Sequence, residues 1–462
     1  MMKMKRTLAL LLAATMTASL CACGKDESSV EVQSDVVTMP QAEQTIEDTL
    51  KIPDDATKTL RWMAHYDINP AAGSDRSVAL ALFEDVAGGK IEYMQTTWDT
   101  RMEDLAASII GGNAPDIFPY EPIAFPSHIV QERYQPIDPV VDFSDPLWSD
   151  MKEAADVYMI NGEHYLAPIS FSQTVIMTYN KKAIDENGLD DPYELYLNGE
   201  WDWDAFYNIM TEYMEGDDPD NPTRHGLNGW WQPHFMMTTG QTTINMEGNK
   251  FVNNLHNADL ERAAEYIYNI TKNGLYYDTW IGSANAALEQ QGCLFFAMGE
   301  WAHVGASGPS EDSEWGIVPM PQDPNSDKNY TSSSLFTYMW VKGSTANEAM
   351  KSWLACERIA ATDENYLETT KQKFFVDNPY WTDEMYQVKM DLNSPTAFTQ
   401  VADLGYGVSD ILNSTVIPAI YESCSKFEGE QQITWAQTRE KYGPVIDTEI
   451  AYVNTELEKM LG

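Results

Sequence analysis

The chain has 462 residues, 29 basic against 71 acidic, for a formal net charge of −42. A field of that sign repels phosphate and excludes nucleic acid as a partner. About 400 residues of globular chain exceed one single-core domain, so two lobes are expected.

The chain opens on Lys3, Lys5 and Arg6, followed by an apolar stretch from Leu8 to Leu20. That stretch is too short to span about 30 Å of hydrocarbon and reads as the signal peptide of residues 1–22. "LCAC" (Leu20, Cys21, Ala22, Cys23) before Gly24 resembles the bacterial lipobox, in which a small residue precedes a cysteine that is lipidated on sulfur and becomes the new N-terminus. Cys23 is then the anchor and Cys21 leaves with the leader. The expected place is the outer face of the cytoplasmic membrane, held by acyl chains worth about 0.8 kcal/mol per buried methylene. Cys293, Cys356 and Cys424 are too widely spaced for a disulfide framework or a CxxC metal site. They read as buried small hydrophobes, with one disulfide as the alternative. No second stretch approaches the roughly 20 apolar residues of a membrane span.

Residues 23–58 read as an acidic flexible tether, with no sustained apolar periodicity; about 35 such residues reach roughly 30 Å or more. From residue 59 strands and helices alternate. "TLRWMAH" (59–65) and "KIEYMQT" (90–96) are strand-like, and "DRSVALALFEDVAG" (75–88) between them is helical. Met102, Leu105, Ala106, Ile109 and Ile110 share one helix face that Gly111 and Gly112 end, and "IFPY" follows as a short buried strand. This βαβαβ order implies a mainly parallel sheet flanked by helices. Further on, "HYLAPISF" and "VIMTYN" are expected strands and "KKAIDEN" a short helix. Asp202 caps a helix whose Phe206, Ile209, Met210 and Tyr213 share a face, and Leu260, Ala263, Ala264, Ile267 and Ile270 mark another. Helices are also expected over 345–361 and after Gly429, the last broken at Gly443 and Pro444.

"MEDLAASIIGGNAPDIFPY", "NGEHYLAPISFSQTVIMTYNKKAIDENGL", "WDWDAF", "GCLFFAMGEWA" and "WGIVPMPQ" follow one another in that order. Together they resemble the landmarks of bacterial extracellular solute-binding proteins of the sugar-binding family, which includes the maltose-binding protein and serves ABC importers. The likeness covers about residues 58–460. It departs from the family pattern at "DPYELYLNGE" (191–200), which lengthens a connection, and at "EGDDPDNPTRHG" (215–226). Asp217, Asp218, Asp220 and Asn221 in the latter read as a solvated turn, because Pro219 and the lack of a bidentate Glu spoil a calcium loop.

The resemblance implies the two-lobed α/β fold of type II periplasmic binding proteins, each lobe a mainly parallel sheet flanked by helices. Lobe one would take 58–167 and 317–362, lobe two 168–316 and 363–462, with three crossings that hinge. It implies no cofactor, no metal and no enzymatic step. It also implies a monomer that captures a carbohydrate, an oligosaccharide, and delivers it to ABC permease subunits, touching the membrane only through its anchor.

A sugar presents C–H faces and a rim of hydroxyls, so its site needs flat aromatic platforms with side chains that accept and donate. Candidates follow strand ends, where ligands bind in open α/β sheets. They are Tyr66 and Asp67, Trp98, Tyr120 and Glu121, Phe171 at the first crossing, Trp230 and Trp231 in a Gly-flanked loop, and Glu300 and Trp301 in "AMGEWA". The resemblance places a stacking tryptophan at Trp301. Trp201, Trp203 and Trp353 lie on helix patterns and read as core, and one of Trp230 and Trp231 is expected to pack under the other. Trp98 and Tyr120 fit core and cleft equally, and Asp67, Glu121 and Glu300 could be surface charges. Three rival readings remain. One is a secreted glycoside hydrolase, against which stands the lack of any HExxH, GxSxG or GxxxxGK[ST] motif; the second is a ligand-sensing lipoprotein that imports nothing; the third keeps the importer but makes its cargo a peptide, polyamine or other solute.

Overall fold

A computed structural model describes residues 39–71, 75–218, 220, 222–248 and 250–461, with the backbone alone for 173 and 461. The signal peptide, Cys23 and the first part of the expected tether lie outside the described residues.

The first sheet forms where the sequence alternates as expected. Strand Thr59–Ala64 pairs in parallel with Lys90–Gln95, Leu60 against Ile91 and Trp62 against Tyr93, and on its other side with Ile117–Pro119. Tyr338–Trp340 closes the sheet antiparallel to Ile117–Pro119. Leu60, Trp62, Phe83, Ile91, Ile117, Trp340 and Trp353 are buried together in its core. Burying each such side chain stabilises the fold by about 1.5–3 kcal/mol.

The second sheet runs Trp315–Val318, Ile176–Asn180, Cys293–Met298, His225–Gly229. Every residue of Cys293–Met298 is buried, the continuous apolar run of a central strand. This sheet is mixed: only the His225–Gly229 pairing is parallel, and the other two are antiparallel. The reason lies in the chain path, because two of its strands lie next to the segments that cross between the sheets. Those segments, Ser170–Gln173 and Tyr330–Phe336, pair antiparallel with each other, and Thr399–Val401 adds to the edge. A third passage is helical. In helix Glu364–Asp377, Tyr366 is buried in the first core while Phe374 and Phe375 pack with Trp381, Met385 and Val388.

The expectation of a mainly parallel sheet fails for the second sheet, and three further expectations need correction. The tether does not extend to residue 58: helix Gln44–Leu50 puts Leu50 into the first core, Ile52 follows it, and the Leu50 carbonyl accepts a 2.7 Å hydrogen bond from Ser352 Oγ. The apolar spacing of Ile46, Leu50 and Ile52 is short and diluted by acids, which hid it. Ile110 is 87% exposed, because it ends helix Arg101–Ile110 beyond the turn that buries Leu105. The C-terminal helix is unbroken from Trp435 to Leu461, with Pro444 inside it. Buried Trp435 before the proline and Ile446, Ile450, Val453 and Leu457 after it belong to one core. Cys293, Cys356 and Cys424 are all free and buried, and burial pushes the Cys293 thiol up to about 12.

Candidate functional site

The fourteen tryptophans divide sharply. Ten are buried at 7% exposure or less, whereas Trp98, Trp230, Trp280 and Trp301 are exposed by 37–73%. Exposing an indole forgoes a large burial gain, so the places where it happens are informative. Trp98 follows strand Lys90–Gln95, Trp230 follows His225–Gly229 and Trp301 follows Cys293–Met298. Trp280 ends the segment that runs beside His225–Gly229, where Tyr277 N donates to Leu227 O and Asn228 Nδ2 donates to the Tyr277 and Thr279 carbonyls. All four therefore stand at the C-terminal ends of strands, the side on which open α/β sheets bind ligands.

In lobe one the Arg101 guanidinium lies 3.7 Å from the Trp98 ring centroid, covering one face of the indole. Arg101 donates to both oxygens of Glu121 and to the Trp98 carbonyl. Both side chains of the ion pair are only 15% exposed. Glu121 is thus engaged in fixing Arg101, and through it Trp98, rather than open as an acceptor. His65 bridges Trp98 and Tyr66 edge-on, at 5.0 and 4.9 Å. Tyr66 is 44% exposed, and its phenol is pushed up to about 12, first by burial and then by the charges of Glu357 and Glu121. Asp67 accepts from Asn69 N and Nδ2 at 2.9 and 2.8 Å and shapes its own turn. Tyr120 is half-buried, edge-on to Tyr158 at 5.9 Å.

In lobe two the backbone does the positioning. Gly229 has φ +110°, and a Cβ there would stand 2.0 Å from the Ala297 carbonyl oxygen, so only glycine lets the strand end as it does. Trp230 N donates to that same oxygen at 2.8 Å, which fixes where its ring starts. The Trp230 ring meets His234 edge-on at 4.7 Å. His234 in turn faces Ser332 Oγ at 2.8 Å, on one crossing segment, and Thr174 Oγ1 at 3.1 Å, just past the end of the other. Burial pushes the His234 imidazole down to about 3, so it is neutral at ordinary pH. Trp231, expected at the site, is instead fully buried, edge-on to Phe235 and Tyr276, and presents no face to a ligand. Trp301 lies over Gly299, where a Cβ would come within 2.8 Å of the indole nitrogen. Glu300 is paired with Lys389 at 3.3 Å.

Phe171 falls elsewhere. Directly paired with Leu335, it shares a sheet face that lines a cavity of about 850 Å³ with Tyr158, Ile244, Phe398 and Val401, and none of the four exposed tryptophans lines that cavity. Phe336, one residue on from Leu335, points to the opposite face. There Tyr338, Trp62 and Tyr66 continue edge to edge from it.

The structure thus brings Tyr66, Trp98 and Glu121 together on one wall and places Trp230 and Trp301 on another. Among the described residues no ring pair joins the two walls. The sequence reading missed Trp280, Phe336 and Arg101. Trp280 ends "LYYDTW", which follows a helix rather than an expected strand; Phe336 sits in a crossing, and the role of Arg101 depends on a partner 20 residues away. Among the described residues no cluster of His, Cys, Asp or Glu could hold a metal ion, and Asp217 instead accepts the Thr223 and Arg224 amides at 3.0 Å. No helix among them is long and apolar enough to cross a membrane.

The chain matches the family of bacterial extracellular solute-binding proteins over residues 70–373. No curated protein matches it by sequence. Its fold is similar to an ABC substrate-binding protein from Listeria monocytogenes solved with cycloalternan, at 13% identity, covering 88% of this chain and 99% of that one, TM-score 0.57. It is similar also to the sugar-binding protein MalE of Xanthomonas citri, at 13% identity, with 87% and 97% covered and TM-score 0.59. A third is the galacto-N-biose-/lacto-N-biose I-binding protein of Bifidobacterium longum, at 11% identity, with 86% and 98% covered and TM-score 0.59.

Proposed function

Because this chain belongs to the bacterial extracellular solute-binding protein family, we propose that its solute is a carbohydrate, an oligosaccharide, held between the two lobes and delivered unaltered to the permease of an ABC importer. Four indoles left in water at strand ends, while ten others are buried, carry this reading. Flat rings at separated positions suit successive C–H faces of a chain of sugars, and an uncharged ligand needs no buried counter-ion. Micromolar capture requires about −8 kcal/mol, and one stacked ring gives on the order of 1 kcal/mol beyond its area, so the work is spread over several rings. Solved proteins of the same fold bind cycloalternan and lacto-N-biose, which favours the same class of solute here.

In this reading lobe one is built from 58–167 and 317–362 and lobe two from 168–316 and 363–462, and the crossings bend as the lobes close. The protein acts as a monomer without cofactor, and Cys23 carries the lipid that keeps it beside its transporter, outside the cytoplasmic membrane. A thermal-shift screen against mono- and oligosaccharides tests the reading: a solute at a hundred times its dissociation constant adds about 2.7 kcal/mol of stability. Stabilisation by none of them, or release of reducing ends from a glycan, overturns it.

A further inference from the structure

Behind the lobe-one wall lies a carboxyl outside the group of exposed rings. Glu357 projects from helix Asn347–Thr362, where Trp353, Cys356 and Arg358 are buried, yet it is itself only half-buried. Its Oε1 accepts a 2.6 Å hydrogen bond from the Tyr338 hydroxyl. Tyr338 lies edge-on to Trp62 at 5.4 Å, and Trp62 edge-on to Tyr66 at 5.6 Å, while Phe336 meets Tyr338 at 5.5 Å. Tyr66 and Phe336 are the exposed ends of this chain of rings, at 44% and 40%. Arg358, next in sequence, is committed elsewhere: it donates to the Leu147 and Ile169 carbonyls and to Asp150. Glu357 therefore has a phenol for a partner where most carboxylates so enclosed have a cation.

Resting on the carbohydrate reading, we propose that Glu357 and Tyr66 form a hydroxyl-binding subsite on the lobe-one wall, where the second oxygen of Glu357 accepts a hydrogen bond from a saccharide hydroxyl and the Tyr66 ring packs beside it. Tyr338 is the positioning residue that holds the carboxyl in place. A donor from the ligand supplies what the site lacks, since a hydrogen bond to the ionised form offsets part of its desolvation.

The arrangement makes binding depend on pH. Burial pushes the Glu357 carboxyl up to about 7, against the downward pull of the Tyr338 hydroxyl. The titratable groups that face it are Tyr338 on its strand, Tyr66 beyond the first strand and Cys356 on its own helix; Glu121 reaches Tyr66 but is paired with Arg101. Because the folded value is raised, the carboxyl is neutral on the acid side of about 7 and ionised on the alkaline side. A ligand that prefers the ionised form binds more tightly as pH rises through that value, and a tenfold preference lowers the carboxyl by one pKa unit on binding.

The test is calorimetric titration of the full chain with maltotriose, cellotriose and lacto-N-biose near pH 5.5, 7 and 8.5, for the parent, Glu357→Gln and Tyr338→Phe. The expected result is a gain in affinity of about tenfold from the lowest to the highest pH in the parent. Glu357→Gln should bind about tenfold more weakly at the highest pH and show no step, and Tyr338→Phe, which loses the donor that lowers the carboxyl, should move the step to higher pH. Equal affinity and equal slope in the parent and Glu357→Gln overturn the subsite alone. So does a step that Tyr338→Phe leaves in place, which keeps the proposal testable should Glu357→Gln not fold. Failure of all three saccharides to bind the parent at any pH overturns the carbohydrate reading and the subsite with it.

Discussion

The two walls hold their exposed rings by different means. On lobe one, Trp98 is braced by a side chain: Arg101 covers one face and is itself clamped by Glu121. On lobe two, Trp230 is placed by backbone: Gly229 has φ +110°, a Cβ there would stand 2.0 Å from the Ala297 oxygen, and Trp230 N donates to that same oxygen. A side-chain brace can be lost while the strand beneath it survives. A backbone brace cannot, because the contact that aims the ring also ends the strand.

The largest effect is expected from Gly229→Ala. With φ at +110° and a Cβ 2.0 Å from the Ala297 oxygen, both strain and overlap oppose it, and a loss on the order of 3 kcal/mol is expected by urea denaturation. A change below about 0.5 kcal/mol, the scale of neutral surface substitutions, would show that lobe two tolerates what lobe one does. Next, Arg101→Met leaves Glu121 without its cation while keeping the stem over Trp98. The pair retains 15% exposure on each side, so the stability cost should be about 1–3 kcal/mol, less than for a fully buried pair. Saccharide binding should weaken with it, and restored binding in the double variant Arg101→Met with Glu121→Gln would assign the loss to the stranded charge.

Smaller effects sharpen the ranking of the rings. Trp301→Ala should weaken saccharide binding about tenfold or more, some 1.4 kcal/mol, without lowering stability, since its indole is 58% exposed in the free protein. Unchanged calorimetry would remove it from the site. Trp280→Ala should cost less, about threefold, and only for longer saccharides, because at 73% exposure it stands farthest out. An equal loss for a monosaccharide would place it at the centre instead.

Much of the fold was legible in the sequence because it was local. Phe206, Ile209, Met210 and Tyr213 are all buried on one face, and the Asp202 side chain accepts from Ala205 N at 2.9 Å as an N-cap. The alternation of Leu60, Trp62 and Ala64 marked a buried strand. Strand direction in the second sheet was not legible, since two antiparallel pairings there depend on crossings far apart in sequence. Exposure was legible where a ring follows a strand directly, as at Trp98, Trp230 and Trp301. The role of a residue was not legible where a partner decides it. Glu121 reads as a free acceptor until Arg101 is placed against it, and Trp231 is separated from Trp230 only by the burial that Phe235 and Tyr276 impose. Trp280 needed the bridge from Tyr276 to Leu227 to bring it to a strand end.

In the function proposed, the exposed rings of the two lobes close over one uncharged solute. Small-angle X-ray scattering of the protein, alone and saturated with the saccharide that stabilises it most, tests this directly. A smaller radius of gyration is expected in the bound form, and a profile unchanged at calorimetric saturation would rule out closure.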